Sequence, residues 1–245
     1  MSQDPEHPPG PWGPGAFRSG PLDAGASLVD DGGGDRSTEL YDHPFRTADD
    51  ERYGEGPVLG WGGMGQVLAV TDRRLNREVA YKRVTLRPGS RGSSVRLARE
   101  AWITAHLEHP GIVPVYDAGI SEDGHLFYTM RLVRGRTLAE ALRESPSLQA
   151  RTSLLRHVLD ACEAVAYAHS TGVVHRDLKP ANVMVGSFGE TQVVDWGLAT
   201  VPDPSARAAW RALGLPGGPG DDDALAGTPA YMSPEQARGE PVDAR

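Results

Sequence analysis

The sequence predicts an α+β fold in two parts, a small sheet with one inserted helix followed by a mainly helical part. Three observations predict it. The runs "PVLGWGGMGQVLAV" and "REVAYKRV" alternate apolar residues around a glycine cluster, which reads as strand, glycine turn, strand, turn, strand. Apolar residues at spacings of three and four between Ser94 and Leu107 mark one amphipathic helix. A wide apolar stripe in "TSLLRHVLDACEAVAYAHS" marks a second, longer helix after the strands have ended.

Residues 1–51 are dense in Pro, Gly, Asp and Ser and lack a period of either 2 or 3.6, so they read as a disordered leader; order is expected to begin at Arg52. After the first three strands, the helix carries Val95, Ala98, Ala101, Trp102 and Ala105 and ends before His109-Pro110-Gly111. Two more strands, "IVPVYDAG" and "HLFYTMRLV", flank the turn Ser121-Glu122-Asp123-Gly124 and complete a first unit over 52–134. The remainder, 135–245, opens with capping-box spacing at Thr137 and Glu140, so a short helix should start there and stop before Ser145-Pro146. In the long helix, Leu154, Leu155, Val158, Leu159, Cys162, Val165 and Ala166 are expected to face a core, with Cys162 as a small buried side chain. Everything after Gly172 reads as short strand and loop.

The chain has 245 residues, a formal charge of -8 and one cysteine. An acidic balance argues against a protein built to grip nucleic acid. A single cysteine excludes an internal disulfide and fits a reducing compartment. The N-terminus lacks a signal-peptide pattern, and no apolar run reaches membrane-spanning length, so a cytoplasmic location is expected.

The chemistry-bearing residues fall into three groups. Gly60, Gly62 and Gly65 form G-x-G-x-x-G followed by Val67, which lets backbone N–H groups approach phosphate oxygens. A dinucleotide-binding fingerprint needs a helix directly after the glycines; here strand continues, so a hairpin lid over a nucleotide fits better. Lys82, ending "VAYK", could supply positive charge beneath that lid, aimed by Glu100 on the following helix. In "HRDLKPAN", Asp177 could accept a hydroxyl proton, Lys179 could neutralise a phosphoryl group, and Asn182 could offer its carbonyl to a divalent ion. Pro180 should keep that loop from turning helical, leaving its polar groups presented rather than buried. Asp195, in "VVDWGLA", would complete an all-oxygen Mg²⁺ site with Asn182. For any one of these residues an exposed loop side chain is the simpler reading; for the set in this order it is not.

The glycine loop, Lys82, Glu100, "HRDLKPAN", "DWG" and "GTPAYMSPE" together resemble the eukaryotic-type protein kinase family, and specifically its bacterial serine/threonine members. The resemblance implies a two-lobed kinase fold, ATP and Mg²⁺ as cofactors, and a protein Ser or Thr hydroxyl as acceptor. It implies that Lys82 contacts the ATP phosphates, Glu100 pairs with it, Asp177 is the catalytic base, Asn182 and Asp195 hold Mg²⁺, and Thr228 buttresses Asp177 and Lys179. By the same resemblance the nucleotide is held by Leu59, Gly60, Trp61, Gly62, Gly63, Met64, Gly65, Gln66 and Val67 of the lid, by Ala80, and by Met130, Arg131 and Val133 at the gatekeeper and hinge. His175 is implied to be structural.

Two features depart from the family. Trp196 stands where the family usually has Phe, which predicts altered packing with Asp195 kept in place. The stretch from Asp195 to Glu235 is long; it offers Ser205 as a phosphoacceptor, Arg176 as a partner for an activation-loop phosphate, and Asp221-Asp222-Asp223 as either a built-in counter-charge or a solvated run. The chain stops at "GEPVDAR", about where the family begins the central helix of its large lobe, so an incomplete C-terminal lobe is expected. The rival reading that follows is a catalytically compromised nucleotide-binding or interaction module.

Overall fold

The first unit is an antiparallel sheet whose register decides which side chains share a face. The strands are β1 (Val58–Gly62), β2 (Gly65–Asp72), β3 (Arg77–Val84), β4 (Val115–Ile120) and β5 (Leu126–Arg131), in the spatial order β1-β2-β3-β5-β4. Val67 lies opposite Lys82, Lys82 opposite Tyr128, and Ala80 opposite Met130. Directly opposed residues point the same way and residues two apart share a face. Val67, Ala80, Lys82, Tyr128 and Met130 therefore all project from one side of the sheet. The other side carries an aromatic cluster, with Tyr81 stacked on Phe127 at 4.5 Å between ring centroids.

The computed structural model describes residues 52–62, 65–84, 91–214 and 226–245. The leader 1–51, Gly63 and Met64 of the lid, and Asp221 to Asp223 lie outside the described residues.

Helix α1 (Arg91–His106) begins three residues before the predicted Ser94–Leu107 span and ends one residue short of it. Leu97, Ala98 and Ala101 pack against Val84, Leu126 and Tyr128, which presses the helix onto the sheet face that carries Lys82. Glu100 sits between Leu97 and Ala101 on this buried side and is 1 % exposed.

The second unit opens with β6 (Gly135–Thr137) and α2 (Leu138–Arg143). The capping box forms as its spacing predicts: Glu140 N–H donates to Thr137 Oγ1 at 3.1 Å, and Thr137 N–H donates to Glu140 Oε2 at 2.7 Å. β7 (Val183–Gly186) and β8 (Thr191–Val193) join β6 in a three-stranded sheet.

The long helical run corrects the sequence reading in two ways. It forms as α4 (Leu155–Ser170), preceded by a short α3 (Leu148–Thr152) that the sequence did not mark, and α4 buries a different face from the one expected. His157, Ala161, Ala164 and Ala168 are buried, while Leu155, Val158, Leu159 and Cys162 are exposed. The spacing 157, 161, 164, 168 is as helical as the apolar stripe, and small side chains let the backbone approach closely. Ala164 lies 3.0 Å from where a Cβ on Gly111 would stand. Hydrophobicity alone pointed to the larger residues, but contact distance selected the alanines.

His157 is the one polar member of that face. Thr191 Oγ1 donates to Asp160 Oδ2 at 2.6 Å, so the 2.7 Å contact between His157 and Thr191 has Nδ1–H donating. Nε2 then accepts from Arg156 Nε at 3.4 Å. Burial, assisted by Arg156 and opposed by Asp160, holds the His157 pKa below its usual value, so the ring is neutral when folded. On acidification the unfolded chain takes up this proton first, so the contribution is complete above pH ~6.5 and lost below it. Urea midpoints should fall between pH 7.5 and 5.5, and His157→Gln should reduce that fall.

The reading of everything after Gly172 as strand and loop is also corrected. Helix α5 (Pro204–Ala212) forms within the long stretch, with Asp203 accepting from Ser205 and Ala206 N–H groups and Pro204 in the first turn. A short α6 (Pro234–Ala237) follows, capped by Ser233. Among the described residues no helix is long and apolar enough to cross a membrane.

Candidate active site

Lys82 leaves the sheet face into a cleft between the two units and meets two acids. Its Nζ donates to Glu100 Oε1 at 2.6 Å and to Asp195 Oδ1 at 2.9 Å. Tyr128 O–H donates to the same Glu100 oxygen at 2.8 Å. Glu100 Oε2 is buried without a hydrogen-bond partner. Burial alone would lower the Lys82 pKa, but Glu100, Tyr128 and Asp195 outweigh it and hold the ammonium well above the usual lysine value. Burial pushes the Glu100 carboxyl up against the pull of Lys82. For Asp195 burial also acts upward, but Lys82 prevails and the carboxyl is held below its usual value.

The catalytic-loop residues converge on Asp177. Lys179 Nζ donates to Asp177 Oδ2 at 2.7 Å and to Thr228 Oγ1 at 2.6 Å. Thr228 donates to Asp177 Oδ1 twice, from its hydroxyl at 2.7 Å and its backbone N–H at 2.9 Å. Asn182 Nδ2 donates to the Asp177 carbonyl at 2.9 Å and to Oδ2 at 3.2 Å. Burial would raise the Asp177 pKa, but Lys179, Thr228 and Asn182 together keep it low, so the group is a carboxylate at neutral pH.

Two details of this loop differ from expectation. Pro180 opens a single 3₁₀ turn, Pro180–Asn182, because proline is tolerated where its missing N–H has no helical partner. Asp177 and Asn182 are buried at 8 % and 6 % exposure rather than presented to solvent. Hydrogen bonds from Lys179 and Asn182 within the loop and from the remote Thr228 enclose the Asp177 carboxylate.

Backbone strain accompanies these positions. Arg176 at φ 66° and Asp195 at φ 63° occupy the left-handed region, which costs non-glycine residues about 1–3 kcal/mol. The strain at Asp195 turns its carboxylate toward Lys82 while Trp196 goes into the core. Trp196 is buried and Asp195 faces the site; the indole Nε1 is buried without a hydrogen-bond partner. His175 packs on Trp196 at 4.6 Å between rings. The Asp177 N–H donates to His175 Nδ1, which places the ring proton on Nε2, facing the Val194 carbonyl. Burial lowers the His175 pKa, in keeping with a structural neutral ring.

A cavity of about 490 Å³ opens beside Lys82, within the range of small-molecule sites. Leu59, Gly60, Trp61, Val67, Ala80, Met130, Arg131 and Val133 line it as expected, and Val113, Tyr128 and Met184 were not anticipated from the sequence. Gly65 and Gln66 are not among its lining residues. Gly65 is required by the sheet itself: a Cβ there would stand 1.9 Å from the Arg83 carbonyl oxygen. Gln66 turns its amide to the Arg83 guanidinium. At Gly60, by contrast, a Cβ would meet nothing within 4 Å, which leaves the backbone open to a ligand. A second cavity, of about 460 Å³, shares Trp61, Lys82 and Asp195 with the first and adds Asp177, Lys179, Asn182 and Thr228. Arg96, one turn before Glu100, also faces it and was not singled out by sequence.

The oxygen donors suit a hard cation. Asn182 commits its NH₂ to Asp177 and keeps its carbonyl oxygen, and the Asp195 side chain is 42 % exposed. Two protein oxygens are few for a dedicated cage but fit Mg²⁺, which retains waters and phosphate oxygens as ligands. Among the described residues no group of three or more His, Cys, Asp or Glu side chains could hold a metal.

Comparison with known proteins agrees with this geometry. The protein kinase domain model matches residues 53–245. The serine/threonine-protein kinase PknB of Mycobacterium tuberculosis is 39 % identical over 201 residues, covering 80 % of this chain and 30 % of the relative. PknB of Mycolicibacterium smegmatis is 40 % identical over 200 residues, with the same coverage of each. A probable serine/threonine-protein kinase of Streptomyces coelicolor is 42 % identical over 200 residues, 79 % of this chain and 28 % of the relative. The chain thus spans under a third of the length of these relatives. The matched residues take in both units, the lysine between its two acids and the buttressed aspartate, and the chain belongs to the protein kinase domain family.

Proposed function

We propose that this chain transfers the γ-phosphoryl group of ATP to Ser or Thr hydroxyls of a protein substrate. The observation that carries the reading is the shared wall of the two cavities. Lys82 and Asp195 border both the nucleotide-sized cavity and the one holding Asp177, so a phosphate placed at that wall lies between nucleotide and acceptor. Met130 and the backbone of Arg131 to Val133 would take the base, and Gly60 leaves the lid backbone free to approach the phosphates. Asn182 and Asp195 would hold Mg²⁺, which when bound offsets phosphate charge.

In the reaction, the acceptor hydroxyl oxygen forms a bond to the γ-phosphorus while the bond to the β–γ bridging oxygen breaks and ADP leaves. The hydroxyl proton goes to Asp177. Because Lys179, Thr228 and Asn182 hold that carboxylate low, it is a weak base at neutral pH. Its main work is to orient the hydroxyl and accept the proton as bonding to phosphorus advances. Lys179 also faces this cavity and can meet negative charge developing on the transferred group.

The test is incubation of the chain with γ-labelled Mg-ATP and a generic basic protein, followed by phosphoamino-acid analysis. Label on Ser or Thr, dependent on Mg²⁺, is expected. Label on Tyr alone, or none from a folded wild type, would overturn the reading.

A further inference from the structure

Tyr128 stands opposite Lys82 in the sheet, and its side chain reaches the same acid. Opposed residues share a face, so the Lys82 ammonium and the Tyr128 hydroxyl leave neighbouring strands side by side, toward α1. Both donate to Glu100 Oε1, at 2.6 Å and 2.8 Å, and so occupy its lone pairs, while Oε2 is buried without a partner. The tyrosine is 2 % exposed and packs with Leu97, Ala98 and Ala101 of the helix that carries Glu100. Burial first, and then the charge of Glu100, hold the phenol well above its usual pKa, so the hydroxyl keeps its proton and acts as a donor.

A buried carboxylate held by two donors is placed differently from one held by one. Two donors from adjacent strands fix where Oε1 lies, whereas a single donor lets the carboxylate turn about that contact. Hydrogen bonds to a charged group also matter more where water is excluded, and Glu100 has no solvent to replace a lost one. Lys82 is meanwhile shared, because Nζ also donates to Asp195 Oδ1 at 2.9 Å. A weaker hold by Glu100 lets Asp195 draw the ammonium across the cleft. Tyr128 lines the nucleotide-sized cavity and not the one that holds Asp177, so its influence belongs to the nucleotide side.

We propose that Tyr128 is a positioning residue whose hydroxyl pins Glu100 Oε1, so that Lys82 is aimed from the Glu100 side and is not drawn over to Asp195. The catalytic consequence rests on the phosphoryl-transfer reading above; the hold on Glu100 does not.

The experiment compares wild type, Tyr128→Phe, Glu100→Met and the double variant. Tyr128→Phe keeps the ring and removes the hydroxyl, and Glu100→Met keeps an unbranched side chain and removes the acceptor. Urea unfolding is read first. Tyr128→Phe should lower the unfolding midpoint in the wild-type background and leave it unchanged or raised in Glu100→Met, where the hydroxyl has lost its acceptor. The same fall in both backgrounds would overturn the inference, whether or not the chain transfers phosphate. Transfer rates are read second. Tyr128→Phe should lower kcat/KM for Mg-ATP about tenfold in the wild-type background and less than about twofold in Glu100→Met, with KM for the protein acceptor changed less than about twofold. Equal factors in both backgrounds, or a raised acceptor KM with the Mg-ATP parameters preserved, would also overturn it, because a hydroxyl that merely supports the fold does not act through Glu100. If Glu100→Met does not fold, Glu100→Gln takes its place; the hydroxyl then meets a neutral acceptor, and the tenfold effect should shrink to about threefold or less. A folded wild type without transfer activity sinks the proposed function only, and the unfolding result still decides whether the hydroxyl holds Glu100.

Discussion

Replacing Lys82 with Met is expected to destabilise the fold by about 3–5 kcal/mol, the cost of leaving a buried charge without its partner. Glu100 is almost wholly buried, one of its oxygens already lacks a partner, and the other depends on Lys82 at 2.6 Å and Tyr128 at 2.8 Å. Removing the ammonium leaves only the tyrosine hydroxyl. Adding Glu100→Gln to Lys82→Met removes the stranded charge and keeps the Tyr128 hydrogen bond. The double variant should recover most of the lost stability, to within about 1 kcal/mol of wild type, while remaining without transfer activity. Urea unfolding of the single and double variants checks the first point and a transfer assay the second. Equal stability of wild type and Lys82→Met would mean that the buried pair is not as tight as the 2.6 Å contact indicates.

Asp177→Asn should lower kcat by about 10²- to 10⁴-fold, the range expected for loss of a positioned acid–base group. The amide keeps the shape but not the charge. One side of Asp177 faces Lys179 and the other Thr228, both of them donors, so an amide NH₂ must oppose one of them. The KM for Mg-ATP should change little, because Asp177 lines the cavity with Lys179 and Thr228 and not the one bordered by the gatekeeper and hinge. A large rise in that KM with kcat preserved would reassign Asp177 to nucleotide binding.

Much of the site was legible because kinase chemistry needs particular residue types in a fixed order, and this sequence keeps them. Lys82, Glu100, Asp177, Lys179, Asn182, Asp195 and Thr228 all meet around one cleft. What the sequence concealed depends on distances between segments remote in the chain. Tyr128 reads as an ordinary strand aromatic until the register sets it opposite Lys82. Gly65 and Gly60 look equivalent in the glycine pattern, yet one is demanded by the neighbouring strand and the other stands open to the cleft.

Periodicity misled for a related physical reason. In α4 a stripe of large apolar residues competed with a stripe of alanines, and close approach to Gly111 and β8 favoured the alanines. In α5 the cues were present, an Asp203-Pro204 start and a single Trp210 to anchor the buried face, but surrounding Pro and Gly obscured a nine-residue helix. The Asp195–Thr228 stretch is therefore docked into the core at Trp196, Val201 and Trp210.

The central claim is that the Asp177 carboxylate, held between Lys179 and Thr228 at the wall shared by the two cavities, directs a protein hydroxyl at the γ-phosphoryl group. A single-turnover measurement tests it most directly, with γ-labelled Mg-ATP saturating wild type and Asp177→Asn in the presence of one Ser-containing acceptor. The account predicts transfer by wild type and a rate at least about 10² lower for the variant at comparable nucleotide occupancy. Label reaching the acceptor at the same rate from both proteins would contradict it.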